Sequence, residues 1–130
     1  MTEMEKQKLK ISEDLLNFSY YFFVKNECFE EYNDKYSKLR IAVNRTYYGF
    51  YRFLSIEYFN IIDGSGSNKH DALLKAIRDN NLLNLFKFLK EAREWADYQI
   101  TDPKAETING FRNIQNRVYR LVQGYKKRNI

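Results

Sequence analysis

The residues best suited to chemistry in this 130-residue chain are its single histidine, His70, and the segment around Arg93, where Asp97 and Tyr98 follow within one helical turn or so. An arginine beside a proton acceptor can serve phosphodiester cleavage by a 2′-hydroxyl. The acceptor removes the proton and the guanidinium stabilises the phosphorane charge. Imidazole suits the transfer because its ordinary pKa is near 6.5, whereas tyrosine, near 10, is a poor base at neutral pH. Asp97, four residues after Arg93, reads more simply as its ion-pair partner, and such pairing weakens a carboxylate as a base. Arg93, Asp97, Tyr98 and His70 are thus catalytic candidates, and none is assigned a role. His70, between Lys69 and Asp71, has a second reading as a cap or as a hydrogen-bonding link to a neighbouring helix.

Arg45, Arg93 and Asp97 can form a polar cluster. On one reading it is a phosphate or nucleotide pocket, with Tyr47, Tyr48 and Tyr98 stacking on a base. On the other it is a buried network in which tyrosine hydroxyls satisfy the charges, because buried charge must be paired in any case. A second constellation lies near the C-terminus. Arg112, Asn116, Arg120, Gln123 and Lys127 share one helical face, with Arg117, Lys126 and Arg128 nearby. Arg112, Arg120 and Lys127 can contact RNA or DNA phosphates. The same stripe also reads as a solvated face whose basic end suits the helix dipole. No Cys/His cluster has metal spacing, and the Gly/Ser segment Asp63–Ser67 lacks the lysine of a phosphate loop. No metal and no cofactor is expected.

The net charge of +5 is compatible with an anionic partner and does not by itself establish one. Cys28 is alone, which fits a reducing compartment. Met1 to Lys10 is charged, and the longest apolar-rich run, Leu15 to Val24, is too short to span a bilayer, so a cytoplasmic protein with no membrane association is expected.

Helices must position these residues. One proline and five glycines leave few breakers, while 11 Tyr, 10 Phe and one Trp supply a core rich in rings. A first helix is expected from Glu3 or Ser12 to Lys25. Thr2 and Glu5 have the form of a capping box, and Ile11, Leu15, Phe18 and Phe22 form an apolar stripe. Asn26 to Asp34 reads as a connection. The second helix spans about Lys35 to Phe59, with Leu39, Ala42, Thr46, Phe50, Phe53 and Ile61 inward, Tyr47, Leu54 and Tyr58 beside them, and Gly49 marking close approach of another helix. A third runs from about Lys69 to Asp79 after a cap at Ser67 or Asn68. Asn80 and Asn81 punctuate before a fourth, Leu82 to Gln99, whose inner face is Leu82, Leu85, Phe86, Leu89, Ala92 and Ala96. Asp102-Pro103 has the form of a helix start. The fifth helix then reaches about Lys126, with Ile108, Phe111, Ile114, Val118, Leu121 and Tyr125 in steps of three and four. The expected fold is all-α, a single-domain up-and-down bundle of about five helices.

Three segments together resemble the HEPN family (higher eukaryotes and prokaryotes nucleotide-binding domain). Ala42-Val43-Asn44-Arg45-Thr46-Tyr47-Tyr48-Gly49-Phe50-Tyr51 resembles that family's Ser-Arg-Ala-Tyr-Tyr-Ala pattern on a long helix. Lys69-His70 resembles its Lys-His step, and Arg93-Glu94-Trp95-Ala96-Asp97-Tyr98 its Arg-x-x-Ala-Asp-Tyr element. The resemblance implies a helical bundle that often forms homodimers, with roles in toxin–antitoxin pairs, phage defence or RNA processing, and at times a nucleotidyltransferase partner. Many members are metal-independent ribonucleases with Arg followed four to six residues later by His. Here Asp97 and Tyr98 stand where that His would be sought, and no arginine stands four to seven positions before His70, where Asp63 to Gly66 lie. The expectation is a non-catalytic, HEPN-like interaction or binding module. The alternatives are a ribonuclease with an atypical site around Arg93, and a nucleotide-binding partner of a nucleotidyltransferase.

Overall fold

A computed structural model describes residues 1–24, 36–58 and 69–129. Among these there are five helices and no strand: α1 (Glu3–Val24), α2 (Ser37–Glu57), α3 (Lys69–Ala76), α4 (Asn80–Tyr98) and α5 (Ala105–Asn129). The chain is an all-helical bundle. The expected connection 26–34, the loop 63–67 and the caps Ser67 and Asn68 lie outside the described residues, as do Lys25, Lys35, Phe59 and Ile61 and the side chain of Phe22.

The central element is α2, which packs against α1, α4 and α5. Its inward residues include Leu39, Ala42, Thr46 and Phe50 as expected. Tyr47 and Leu54, expected beside that stripe, are buried with it, and Val43, Tyr51 and Ser55 are buried too, because neighbours cover more than one face. Gly49 is where α1 comes closest: a Cβ there would lie 2.8 Å from the Leu16 side chain and 3.3 Å from the Ser12 carbonyl.

That approach rotates α1 away from its expected stripe. Leu9, Ser12, Leu16 and Ser19 are buried, while Ile11 and Phe18 are 46% and 49% exposed. Small hydroxyls face α2 because they admit its backbone and bond to it. Ser12 Oγ donates to the Gly49 carbonyl (2.7 Å) and Ser19 Oγ to the Ala42 carbonyl (3.0 Å). The start is at Glu3, where Glu5 N donates to Thr2 Oγ1 (3.1 Å) in half of a capping box.

Two other helix starts differ from expectation. Asp79 caps α4, accepting from the amides of Asn81 (2.8 Å) and Leu82 (3.1 Å), so both asparagines lie inside the helix. A carboxylate satisfies two orphan donors and complements the dipole better than an amide does. Asp102-Pro103 does not open α5, whose first bonds run from Thr107 N and Ile108 N to the Lys104 carbonyl. The Thr101 carbonyl is held instead by Trp95 Nε1 (2.8 Å) and Arg40 Nη2 (3.4 Å), which ties this connection to the end of α4. On α5, Phe111 and Val118 are buried as expected, Gln115 and Val122 join them, and Ile108 is 44% exposed. No described helix is long and apolar enough to cross a membrane.

Candidate functional site

Asn44, Tyr47, Tyr48 and Tyr51 recur on α2 at steps of three and one, so they share the face turned to α3 and α4. From α4 come Lys90, Arg93, Glu94, Asp97 and Tyr98, and α3 adds His70 from its first turn. Arg93 is the centre. It is only 9% exposed, and its guanidinium lies 5.0 Å from the Tyr47 ring centre, 5.7 Å from Tyr98 and 6.0 Å from Tyr48. Ring faces are attractive to a cation, most strongly where water is excluded. Its polar partners are sparse for so buried a group. Nη1 is 3.4 Å from the Tyr98 hydroxyl and 3.7 Å from Asp97 Oδ2, and Nε makes no hydrogen bond.

Of the expected cluster of Arg45, Arg93 and Asp97, the Arg93–Asp97 pair forms and Arg45 reaches it only through Asn44. Asn44 Nδ2 donates to both Asp97 oxygens (3.1 and 3.2 Å), and Arg45 Nη1 donates to Asn44 Oδ1 (3.2 Å). Arg45 itself is exposed and lies over the Phe18 ring of α1 (5.8 Å), away from Arg93. Asp97 is thus held by the Asn44 amide at least as firmly as by Arg93.

His70 joins this group. Its Nδ1 is hydrogen-bonded to the Tyr47 hydroxyl, and its ring stacks on Tyr51 at 4.5 Å between centres. Tyr48 meets it edge-on at 6.5 Å. Burial lowers the imidazole pKa from its ordinary 6.5, and the positive charges of Arg93 and Lys90 lower it further against Asp71. Burial raises the Tyr47 phenol well above its usual value, so Tyr47 keeps its proton. Two tautomers satisfy the Tyr47–His70 bond. When Nδ1–H donates to the hydroxyl, Nε2 carries a lone pair; when the hydroxyl donates, Nε2 carries the proton. Lys90 pairs with Glu94 (2.7 Å) and Asp71 (3.7 Å), tying α3 to α4 beside His70.

The chain matches no known family model, no curated protein and no solved structure.

Of the sequence candidates, Tyr47, Tyr48, His70, Arg93, Asp97 and Tyr98 therefore converge, and Arg45 sits at the edge. Arg112, Arg120 and Lys127 are exposed on α5 as a separate feature. Their expected stripe is divided: Gln123 and Lys126 both bond Glu13 of α1, at 3.3 and 3.2 Å. Sequence reasoning missed Asn44, Tyr51 and Arg40. The signal was their spacing, since 40, 44, 47, 48 and 51 form one line down α2. Among the described residues no group of three or more His, Cys, Asp or Glu could hold a metal ion.

Proposed function

We propose that this chain is a HEPN-like binding module that takes a phosphate-bearing ligand, of RNA or nucleotide type, at the Arg93 cluster. The observation that carries this is the state of Arg93: nearly buried, ringed by Tyr47, Tyr48 and Tyr98, with Nε unpartnered. Its Nη1 is engaged only at 3.4 Å by Tyr98 and 3.7 Å by Asp97, so the outer edge of the guanidinium retains hydrogen-bonding capacity for an oxyanion, while Tyr98, 74% exposed, offers a ring to a base. Binding of short RNAs and nucleotides is expected to weaken about tenfold or more in Arg93→Ala, with partial retention in Arg93→Lys. Equal binding by wild type and Arg93→Ala in a fluorescence titration would overturn the reading.

A second reading, metal-independent RNA cleavage, draws support from His70. A neutral imidazole beside a buried arginine has the two functions that 2′-hydroxyl attack requires. In the tautomer with Nδ1–H donating to Tyr47, Nε2 can take the 2′-hydroxyl proton. The 2′-oxygen bonds phosphorus, Arg93 stabilises the charge, and the 5′-oxygen departs with a proton from solvent. Incubation with mixed RNAs in a chelator checks it: cleavage should appear in wild type and vanish in both His70→Ala and Arg93→Ala. Cleavage that persists in either variant removes the reading.

The HEPN resemblance supports a role in toxin–antitoxin, phage-defence or RNA-related systems, with a nucleotidyltransferase-type chain as an alternative partner, and the lone Cys28 fits a cytoplasmic setting. The resemblance also supports a homodimer, as do the exposed Ile11 of α1 and Tyr119 of α5. Light scattering that finds a monomer at all concentrations would exclude the dimer.

A further inference from the structure

The opposite end of α4 carries a separate feature. Where the first turns of α4 meet the second half of α5, a groove of about 490 Å³ has Leu82, Leu85, Leu121, Arg117, Arg120 and Arg128 in its lining, together with Asp79 and Gly124. That volume falls within the range of small-ligand sites, about 300–1,000 Å³. Residues 117, 120, 121, 124 and 128 follow at helical steps, so the three arginines line one edge over roughly 16 Å of helix. No ion pair or hydrogen bond joins Arg117, Arg120 or Arg128 to a described residue. Asp79 is the one carboxylate in the lining, and it is engaged with the amides of Asn81 and Leu82. The amides of Asn81 and Leu82 are thereby occupied, which leaves the arginines as the charged groups for recognition.

We infer that this groove binds an organic phosphate with at least two negative charges and an apolar or flat body, the chemistry of a nucleoside diphosphate. Three guanidiniums against one carboxylate leave a net charge of +2 in the lining. Their planar forks match phosphate oxygens in pairs. The floor of Leu82, Leu85 and Leu121 provides the apolar surface on which the body lies. Gly124 keeps the groove open, since a side chain there would enter the space beside Arg128. The site is independent of Arg93, which lies 11 residues further along α4 from Leu82.

The test is amide NMR mapping with ADP as the probe, with pyrophosphate and adenosine as controls. ADP should cause saturable shifts at Asn81, Leu82, Leu121 and Gly124. In Arg117→Gln/Arg120→Gln the apparent affinity at those amides should fall about tenfold or more. The charge-matched control Lys10→Gln/Lys75→Gln, at exposed sites elsewhere, should bind like wild type. Gly124→Glu keeps all three arginines and should also abolish the shifts. Its Cβ would meet nothing closer than the flexible Arg128 Nη1 at 3.3 Å, so the fold tolerates it. Absence of saturable shifts at these amides, or shifts that survive both variants, overturns the inference. Pyrophosphate binding as tightly as ADP would overturn the apolar subsite. Because the readout is local, shifts around Arg93 report on that cluster alone.

Discussion

Burial and the positive charges of Arg93 and Lys90 favour the neutral form of His70, and Asp71 opposes them. The folded protein therefore holds this proton less tightly than the unfolded chain does. The resulting stability is complete above about pH 6.5 and is lost as pH falls through the lower folded value. The imidazole resonance is unique in a chain with one histidine, so an NMR titration reads it directly. Its midpoint should lie below 6.5, and Arg93→Gln should move it upward. A midpoint at or above 6.5 would contradict the burial of this ring. If RNA is cleaved, the rate should rise with pH through that same midpoint, because the neutral ring is the base.

At the scale of elements, the end of α4 depends on a residue from α2. Arg40 Nη1 donates to the carbonyls of Trp95 (3.1 Å), Ala96 (3.1 Å) and Gln99 (2.6 Å), and its guanidinium lies 4.4 Å over the Trp95 ring. The last carbonyls of a helix lack partners of their own. An arginine with a fixed fork satisfies several at once, and Asp97 and Tyr98 sit on that same turn. Arg40→Ala should cost about 1.5–3 kcal/mol in urea unfolding and raise hydrogen exchange in the last turn of α4. Arg40→Lys should recover little of it, since an ammonium has no planar fork. Gly49 makes the complementary point for α1 and α2. In an exposed helix, Gly→Ala would gain about 1 kcal/mol. Here the new methyl meets Leu16 at 2.8 Å, so Gly49→Ala should destabilise by about 1–3 kcal/mol. A stabilised Gly49→Ala would show that Leu16 can move aside.

Across the whole molecule, three helices meet at a buried polar node. Ser19 Oγ donates to the Ala42 carbonyl, which leaves Thr46 Oγ1 (2.7 Å) and Gln115 Nε2 (2.7 Å) as its donors. Its capacity of one donor and two lone pairs is then filled. Gln115, 1% exposed, has no partner for Oε1. Removing the hydroxyl alone strands the Gln115 amide, so Ser19→Ala should cost about 1–3 kcal/mol. Adding Gln115→Leu should return part of that loss, because both unsatisfied groups disappear together. A strictly additive double-mutant cycle would mean that the node does not couple α1 to α5.

The sequence by itself determined the helices. Sparse breakers, steps of three and four, and the Thr2–Glu5 pairing were enough to give all five in order, though not the starts of α4 and α5, and the inner residues of α2, α4 and most of α5 were legible because apolar periodicity reports the covered face. It also named most of the Arg93 group, since that chemistry resides in residue types. Only the tertiary structure decided which way α1 turns. Its stripe of Ile11 and Phe18 faces outward because close packing at Gly49 favours serine, a preference that hydrophobicity does not register. It likewise decided that His70, 23 residues from Arg93, completes the tyrosine cage, and that Asn44 comes between Arg45 and Asp97. Arg117, Arg120 and Arg128 of α5 meet no acceptor among the described residues for the same kind of reason. A helix face is written in the sequence, but whether a carboxylate or a groove lies opposite depends on how the helices pack.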